Sequence, residues 1–187
     1  YPLAPVTTED GIASVALGLG RTIVDGEACL RFSPRYPHHL PQLASAQEAL
    51  STTQRRFWAL SMSGGAESMR ESAYELEVAE EDGTLAAVGS TYSPENDRLS
   101  EGIGRAGVRL VTCAPILEQG RLPLAAALDL LLGEGARAMG TAVELEFAAE
   151  PAAGEGRGEL ALLQLRPLAL ASESESVELA GIDDRRL

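Results

Sequence analysis

Val143-Glu-Leu-Glu-Phe147 and Leu163-Gln-Leu-Arg-Pro167, joined through the connector Pro151-Ala-Ala-Gly-Glu-Gly-Arg-Gly158, are the runs on which the reading of this chain turns. In each run apolar residues alternate with polar ones. That period of two is the signature of a half-buried strand. The connector is rich in glycine and polar residues and extends neither run, so the pair reads as an antiparallel hairpin with a long loop. One register serves both faces. With Glu146 opposite Gln164, Glu144 falls opposite Arg166, Leu145 meets Leu165, and Phe147 meets Leu163. Glu144, Glu146, Gln164 and Arg166 then share one surface.

Outward from this hairpin, Pro123 suits a first helical position, and Leu124, Leu128, Leu131, Leu132 and Met139 form the apolar stripe of a helix ending near Gly140. Gly133 and Gly135 weaken that helix by about 1 kcal/mol each relative to alanine, which favours a bend there. Val108 to Ile116 is apolar and β-branched, a buried strand. Tyr92 to Gly107 has loop chemistry. Ala73 to Ala79 alternates as a strand, with Thr84 to Thr91 as its partner across Glu80-Glu-Asp-Gly83. Ser45 and Glu48 form a capping-box pattern that opens a helix over 45–60, and Ser61-Met-Ser-Gly-Gly-Ala66 breaks it. Toward the amino terminus, Thr8 caps a helix whose face carries Ile12, Val15, Ala16 and Leu19 and which ends at Gly18 and Gly20. Thr22 to Val24 and Ala28 to Phe32 read as strands around an Asp25-Gly26 turn, followed by a proline-rich loop over 33–41.

Composition bounds the function. The chain has 187 residues, 45% of them hydrophobic, enough for one domain with a core. A net charge of -13 argues against a general nucleic-acid or anionic-membrane surface. All 15 basic residues are arginine, so chemistry that needs a lysine amine must come from outside this chain. Cys29 and Cys113 lie in apolar surroundings, as reduced thiols of a cytoplasmic protein do, and neither has a metal-ligand neighbour at suitable spacing. No apolar run reaches the roughly 20 residues of a spanning helix, and the start lacks a signal-peptide pattern. Beginning at Tyr1 without methionine, the chain reads as a processed or excised piece. The Ser172-Glu-Ser-Glu-Ser-Val-Glu178 stretch and the terminal Asp183-Asp-Arg-Arg-Leu187 read as an acidic linker or tail over 171–187.

Residues two apart on a strand stand roughly 6.6 Å apart, so Glu144 and Glu146 can serve one cleft. Two carboxylates suit Mg²⁺, which completes its shell with water and phosphate oxygens. Arg166 adds a bidentate donor for a phosphate oxygen, and Gln164 can orient either. The same pattern also describes a solvated sheet face with an ordinary Glu144 to Arg166 cross-strand pair. Other motifs are poorer. Gly18-Leu-Gly20 lacks the third glycine of a dinucleotide loop and sits at a helix end. Ser63-Gly-Gly-Ala lacks the nucleophile elbow. His38 and His39, between prolines, read as surface or structural residues, and Phe57 and Trp58 beside Arg55 and Arg56 as helical core packing.

The two runs with their Glu-x-Glu and Gln-x-Arg-Pro spacing resemble the end of the ATP-grasp nucleotide-binding domain of the phosphoenolpyruvate synthase and pyruvate phosphate dikinase family. Ala16-Leu-Gly-Leu-Gly20 with Thr22-Ile-Val-Asp-Gly26 is similar to the family's Gly-Leu-Gly segment. Arg31-Phe-Ser-Pro34 and Thr91-Tyr-Ser-Pro-Glu-Asn96 resemble segments of a branch described as carrying only a phosphoenolpyruvate/pyruvate-binding domain. The resemblance spans about 8–168. It implies Glu146 as main metal ligand with Glu144 beside it, Gln164 in the nucleotide site, and Arg166 as phosphate contact and catalytic residue. It also implies ATP and Mg as cofactors, and phosphorylation of pyruvate through a phosphohistidine in the complete protein.

The family's nucleotide-binding lysine has no counterpart here, Arg21 stands where a glutamate often follows Gly-Leu-Gly, and no phosphohistidine domain is present. The chain therefore reads as α+β and ATP-grasp-like, a mainly antiparallel sheet with about three helices. Residues 1–170 form the carboxy-terminal part of the nucleotide-binding domain of a cytoplasmic phosphotransferase, inactive alone. Its partners are ATP, pyruvate or phosphoenolpyruvate, and a lysine-bearing amino-terminal subdomain of the longer protein, with no nucleic acid and no membrane. The alternative is a non-catalytic binding or interaction module derived from the same fold.

Overall fold

The computed structural model describes residues 4–62, 69–118, 120, 122–151 and 158–168. The breaker over 63–66, most of the glycine-rich connector (152–157) and the acidic tail lie outside the described residues. What is described is α+β. Its strands form four small sheets, antiparallel in every pairing: β1 (Ala13–Val15) with β2 (Leu30–Phe32), β3 (Arg56–Leu60) with β4 (Glu71–Glu75), the three-stranded β6 (Arg98–Glu101), β5 (Gly89–Ser93), β7 (Val108–Val111), and β8 (Val143–Glu150) with β9 (Glu159–Pro167). Five α-helices accompany them among the described residues, against the expected three. They are α1 (Arg21–Val24), α2 (Ala46–Thr52), α3 (Leu76–Glu81), α4 (Ala114–Leu117) and α5 (Leu124–Met139), and α5 alone is longer than two turns.

The carboxy-terminal half matches the sequence reading most closely. Helix α5 starts immediately after Pro123 and ends where Gly140, at φ 69°, donates its N–H to the Ala136 carbonyl at 2.9 Å. Leu124 and Leu128 are buried in the main core, with Leu110, Val111, Leu30 and Leu85 among the other buried residues. Gly135 has a packing role. A methyl group there would stand 3.1 Å from Leu165 Cδ1 and 3.2 Å from Val143 Cγ2, so its absence lets the β8–β9 hairpin close on the helix.

The amino-terminal half corrects several expectations. Ile12 to Leu19 is not helical. Ala13 and Val15 are both buried with half-buried Ser14 between them, a strand pattern hidden inside a helical spacing, and Ile12 is 63% exposed. Thr22 to Val24 is a helical turn rather than a strand, and Asp25-Gly26 is its exit, with Gly26 at φ 71°. The helix from Ser45 opens as expected, the Ser45 hydroxyl accepting the Glu48 N–H at 3.1 Å, but stops at Thr52. Ser51, Thr52 and Thr53 turn their hydroxyls back onto the Glu48 and Ala49 carbonyls, and the aromatic Phe57-Trp58 pair beyond them suits a strand.

Residues 73–79 divide between β4 and α3, because Leu76 and Ala79, three apart, are both buried while Val78 is 37% exposed. The partner of β4 is therefore β3, with Phe57 facing Tyr74 at a ring separation of 5.8 Å, and not 84–91. The stretch 92–107 contains strand β6, its Ser-Pro-Glu-Asn-Asp run forming the β5–β6 turn with Asp97 at φ 46°. Val108 to Ile116 is buried as expected from Leu110 onward, but only its first four residues are strand. The chain then turns through Cys113, at φ 52°, into α4.

Gly18 holds the amino-terminal segment against β3. At φ 87° it abuts the Trp58 backbone, and the next residue, Leu19, donates its N–H to the Trp58 carbonyl at 2.8 Å. Replacing Gly18 by alanine adds a methyl where the Trp58 carbonyl already sits, in a conformation alanine resists. Gly18→Ala is expected to lower stability by more than about 1 kcal/mol, whereas Gly20→Ala, at φ −60° and facing open space, is expected to leave it unchanged or raise it by less than about 1 kcal/mol, in denaturant titrations of both variants.

Candidate functional site

The β8–β9 hairpin has the expected register where the candidate residues lie. Glu144 pairs with Arg166, Leu145 with Leu165, and Glu146 with Gln164. Beyond Glu146 the register shifts, and Phe147 faces Leu162 rather than the expected Leu163. The shift has a cause in the sequence. Leu160 and Leu165 both face inward, Leu160 against the core and Leu165 against Gly135, yet they are five apart, an odd spacing that an unbroken strand places on opposite faces. Looping out one residue restores both. Leu163 is that residue, and it is 64% exposed.

All four candidate residues thus emerge on one outward face, half-buried or exposed. The Arg166 guanidinium Nη2 lies 3.1 Å from Glu144 Oε2, with both side chains about half exposed. That hydrogen bond, then the Glu144 charge and more weakly the Glu146 charge, holds the arginine above its ordinary pKa. Glu146 and Gln164 have neither a hydrogen bond nor an ion pair from their side chains among the described residues. The face therefore has one internally matched pair and one pair with unused hydrogen-bonding capacity. Two carboxylates on one surface satisfy the one or two that Mg²⁺ takes from a protein. No group of three or more His, Cys, Asp or Glu side chains is placed to hold a metal ion among the described residues.

The remaining motifs find mostly structural employment. Gly18-Leu-Gly20 precedes α1 rather than ending a helix, and that helix is a single turn. Trp58 lies on a strand, not in a helical core. The Arg21 guanidinium stacks over its ring at 3.9 Å while binding Asp25 at 2.9 Å and Glu71 at 3.1 Å, and the indole N–H donates to Glu27 at 3.3 Å. In the Arg31-Phe-Ser-Pro34 segment, the Ser33 hydroxyl donates to the Asp10 carbonyl at 3.2 Å. The cap position falls on Thr7, which meets the Asp10 carboxylate through its N–H and its hydroxyl at 2.7 Å each, and Arg35 binds the same carboxylate at 3.0 Å. Cys29 and Cys113 are buried free thiols, and burial pushes the Cys113 thiol up to about 12.

A charged cluster that the sequence did not reveal centres on Arg109 of β7. It grips both carboxylate oxygens of Glu80 on α3, at 2.6 and 2.7 Å, and donates to the Thr91 hydroxyl at 2.9 Å and the Arg105 carbonyl at 2.5 Å. Its members lie up to 29 residues apart, and no short-range pattern links them.

No family model, curated protein or solved structure matches the chain. Among the described residues no helix is long and apolar enough to cross a membrane.

The Arg109 clamp gives a measurable acid dependence. Its hydrogen bonds hold the Glu80 carboxyl below the ordinary 4.5. A depressed carboxyl contributes stability that is fully present above that ordinary value and is lost as pH falls through the folded-state value. Thermal unfolding midpoints tracked downward from neutral pH are expected to fall less steeply below about 4.5 in Glu80→Gln than in the parent.

Proposed function

We propose that the outward face of β8–β9 is one wall of a nucleotide and magnesium site, and that the chain is the carboxy-terminal part of an ATP-grasp domain in a phosphoenolpyruvate synthase-like phosphotransferase. The observation that supports the reading is the register. Glu144 and Arg166, and beside them Glu146 and Gln164, are direct cross-strand neighbours on one accessible surface, and these are the residues of the family-like Glu-x-Glu and Gln-x-Arg-Pro spacing.

Each side chain then has a role within reach of its chemistry. Arg166 exchanges part of its contact with Glu144 for a phosphate oxygen, for which a planar guanidinium offers two parallel donors. Glu146, whose side chain has no hydrogen bond or ion pair among the described residues, is the principal ligand, and Glu144 the second. Magnesium held there would neutralise phosphate charge, the main requirement of phosphoryl transfer. Gln164 fixes the orientation of the bound group through its amide. In this reading the lysine that such transfer draws on and the histidine that relays the phosphoryl group to pyruvate are supplied by the remainder of a longer, cytoplasmic protein. A second reading, a non-catalytic binding module, is favoured by one observation: Arg166 already has its charge matched by Glu144.

Calorimetric titration of the longer protein with MgATP distinguishes them. The expected result is saturable binding that weakens at least about tenfold in a Glu146→Ala, Arg166→Ala double variant, the loss of one or more charge-assisted contacts. Absence of heat, or binding unchanged in that variant, overturns the site.

A further inference from the structure

Strand β9 is the longest among the described residues, and within them it pairs on one side only, with β8. Its other edge offers a row of backbone donors and acceptors to any strand that fits. Lysine, proline or a bulge ordinarily blunts such an edge. Here the chain has no lysine, proline stands only at the strand end, and the irregularity leaves Leu162 46% and Leu163 64% exposed. The middle of the edge is therefore apolar. A two-stranded ribbon is also a marginal sheet, which further strands stabilise.

The charges at the two ends of β9 select the strand that fits. Glu159, at one end, is exposed and faces Glu150 across the hairpin, a like-charge pair. Its side chain has no hydrogen bond or ion pair among the described residues. Arg166 stands near the other end on the same outward face. A strand advances about 3.3 Å per residue, so the two cannot meet within one copy. An antiparallel second copy reverses the order and sets each Glu159 against the other's Arg166.

The rest of the strand agrees with that register. Leu160 then opposes Leu165, both inward, and Ala161 opposes Gln164, both outward. The agreement depends on the looped-out residue, because Glu159 and Arg166 are an odd number of positions apart and an unbroken strand would place them on opposite faces. The two bulges meet at the centre, where Leu162 and Leu163 of both copies cover one another.

We propose that β9 pairs edge to edge with β9 of a second copy, joining two hairpins into a four-stranded antiparallel sheet about a twofold axis. Such an interface is self-complementary, as twofold symmetry demands. Main-chain hydrogen bonds supply the attraction and the end charges fix the register. Arg166 keeps Glu144 on one side of its guanidinium and takes Glu159 of the partner subunit on another, within its five donors. The pairing does not rest on the nucleotide reading, although both use Arg166.

Sedimentation equilibrium of the full chain over a concentration series tests it. A reversible monomer–dimer equilibrium is expected. Leu163→Lys, which puts a charge at the axis, is expected to raise the dissociation constant at least about tenfold. Leu163 lies outside the nucleotide face, so this result is read separately from the MgATP titration. Glu159→Arg and Arg166→Glu are each expected to weaken the dimer at least about tenfold, and the two combined to return it to within about threefold of the parent. In a mixture of labelled and unlabelled parent copies, isotope-filtered spectra are expected to show contacts between Ala161 and Gln164 of different copies. The proposal is overturned by a chain that stays monomeric at every concentration, by a dimer that folded Leu163→Lys leaves as tight as the parent, by a combined variant no tighter than the single ones, or by the absence of those intermolecular contacts.

Discussion

Leu160 and Leu165 are five residues apart and both turn inward. A strand alternates its side chains, so it cannot do this without slipping by one residue, and the slip at Leu163 is the constraint on which the carboxy-terminal half depends. On the side toward Pro167, the pairing keeps Val143 and Leu165 against α5 and sends Glu144, Glu146, Gln164 and Arg166 outward. On the other side, it brings Leu160 and Phe147 to the core. Moving the irregularity two pairs closer to Pro167 would turn Gln164 inward and separate it from Glu146. The candidate site is thus a by-product of where the hydrophobic parity is corrected.

The helix under the hairpin meets it halfway. Gly135 is an unfavourable residue for a helix interior, yet a side chain there would press on Leu165 and Val143. The lost helix propensity is offset by close approach of two apolar surfaces. Elsewhere, arginine provides the positive charge, and several of its ion pairs join segments distant in sequence. Arg109 fastens β7 to α3, Arg35 ties the amino-terminal turn to α5 through Asp10 and Asp129, and Arg21 covers Trp58 between two carboxylates. Guanidinium forks suit this work because each can satisfy several acceptors in one plane.

Sequence periodicity was informative where an element was long enough to show it. Helix α5, its proline start and its glycine end, and the pairing of Glu144 with Arg166 were all legible, because sixteen helical residues or two alternating runs leave little ambiguity. It failed where elements have three to seven residues. Ile12, Val15, Ala16 and Leu19 fit a helix as well as Ala13 and Val15 fit a strand, and the deciding factor, Gly18 pressed against the Trp58 carbonyl, involves a residue 40 positions away. The bulge was concealed for a related reason. Leu162 and Leu163 are adjacent leucines, and only the tertiary demand of Leu160 selects which one faces inward. Asp25-Gly26 shows the same limit, since an aspartate-glycine pair ends a helix as readily as it turns a hairpin. Of the candidate site, the residues and their pairing were legible. The unoccupied hydrogen-bonding capacity of Glu146, set against the Glu144–Arg166 pair, was not.

The most direct test of this arrangement is a set of cross-strand backbone nuclear Overhauser contacts in the hairpin. The account predicts contacts that join Glu144 to Arg166, Glu146 to Gln164, and Phe147 to Leu162, with Leu163 lacking a directly opposed residue. An uninterrupted ladder in which Phe147 opposes Leu163 would contradict it, since Leu160 would then leave the core and the packing that sets the polar face would have another origin.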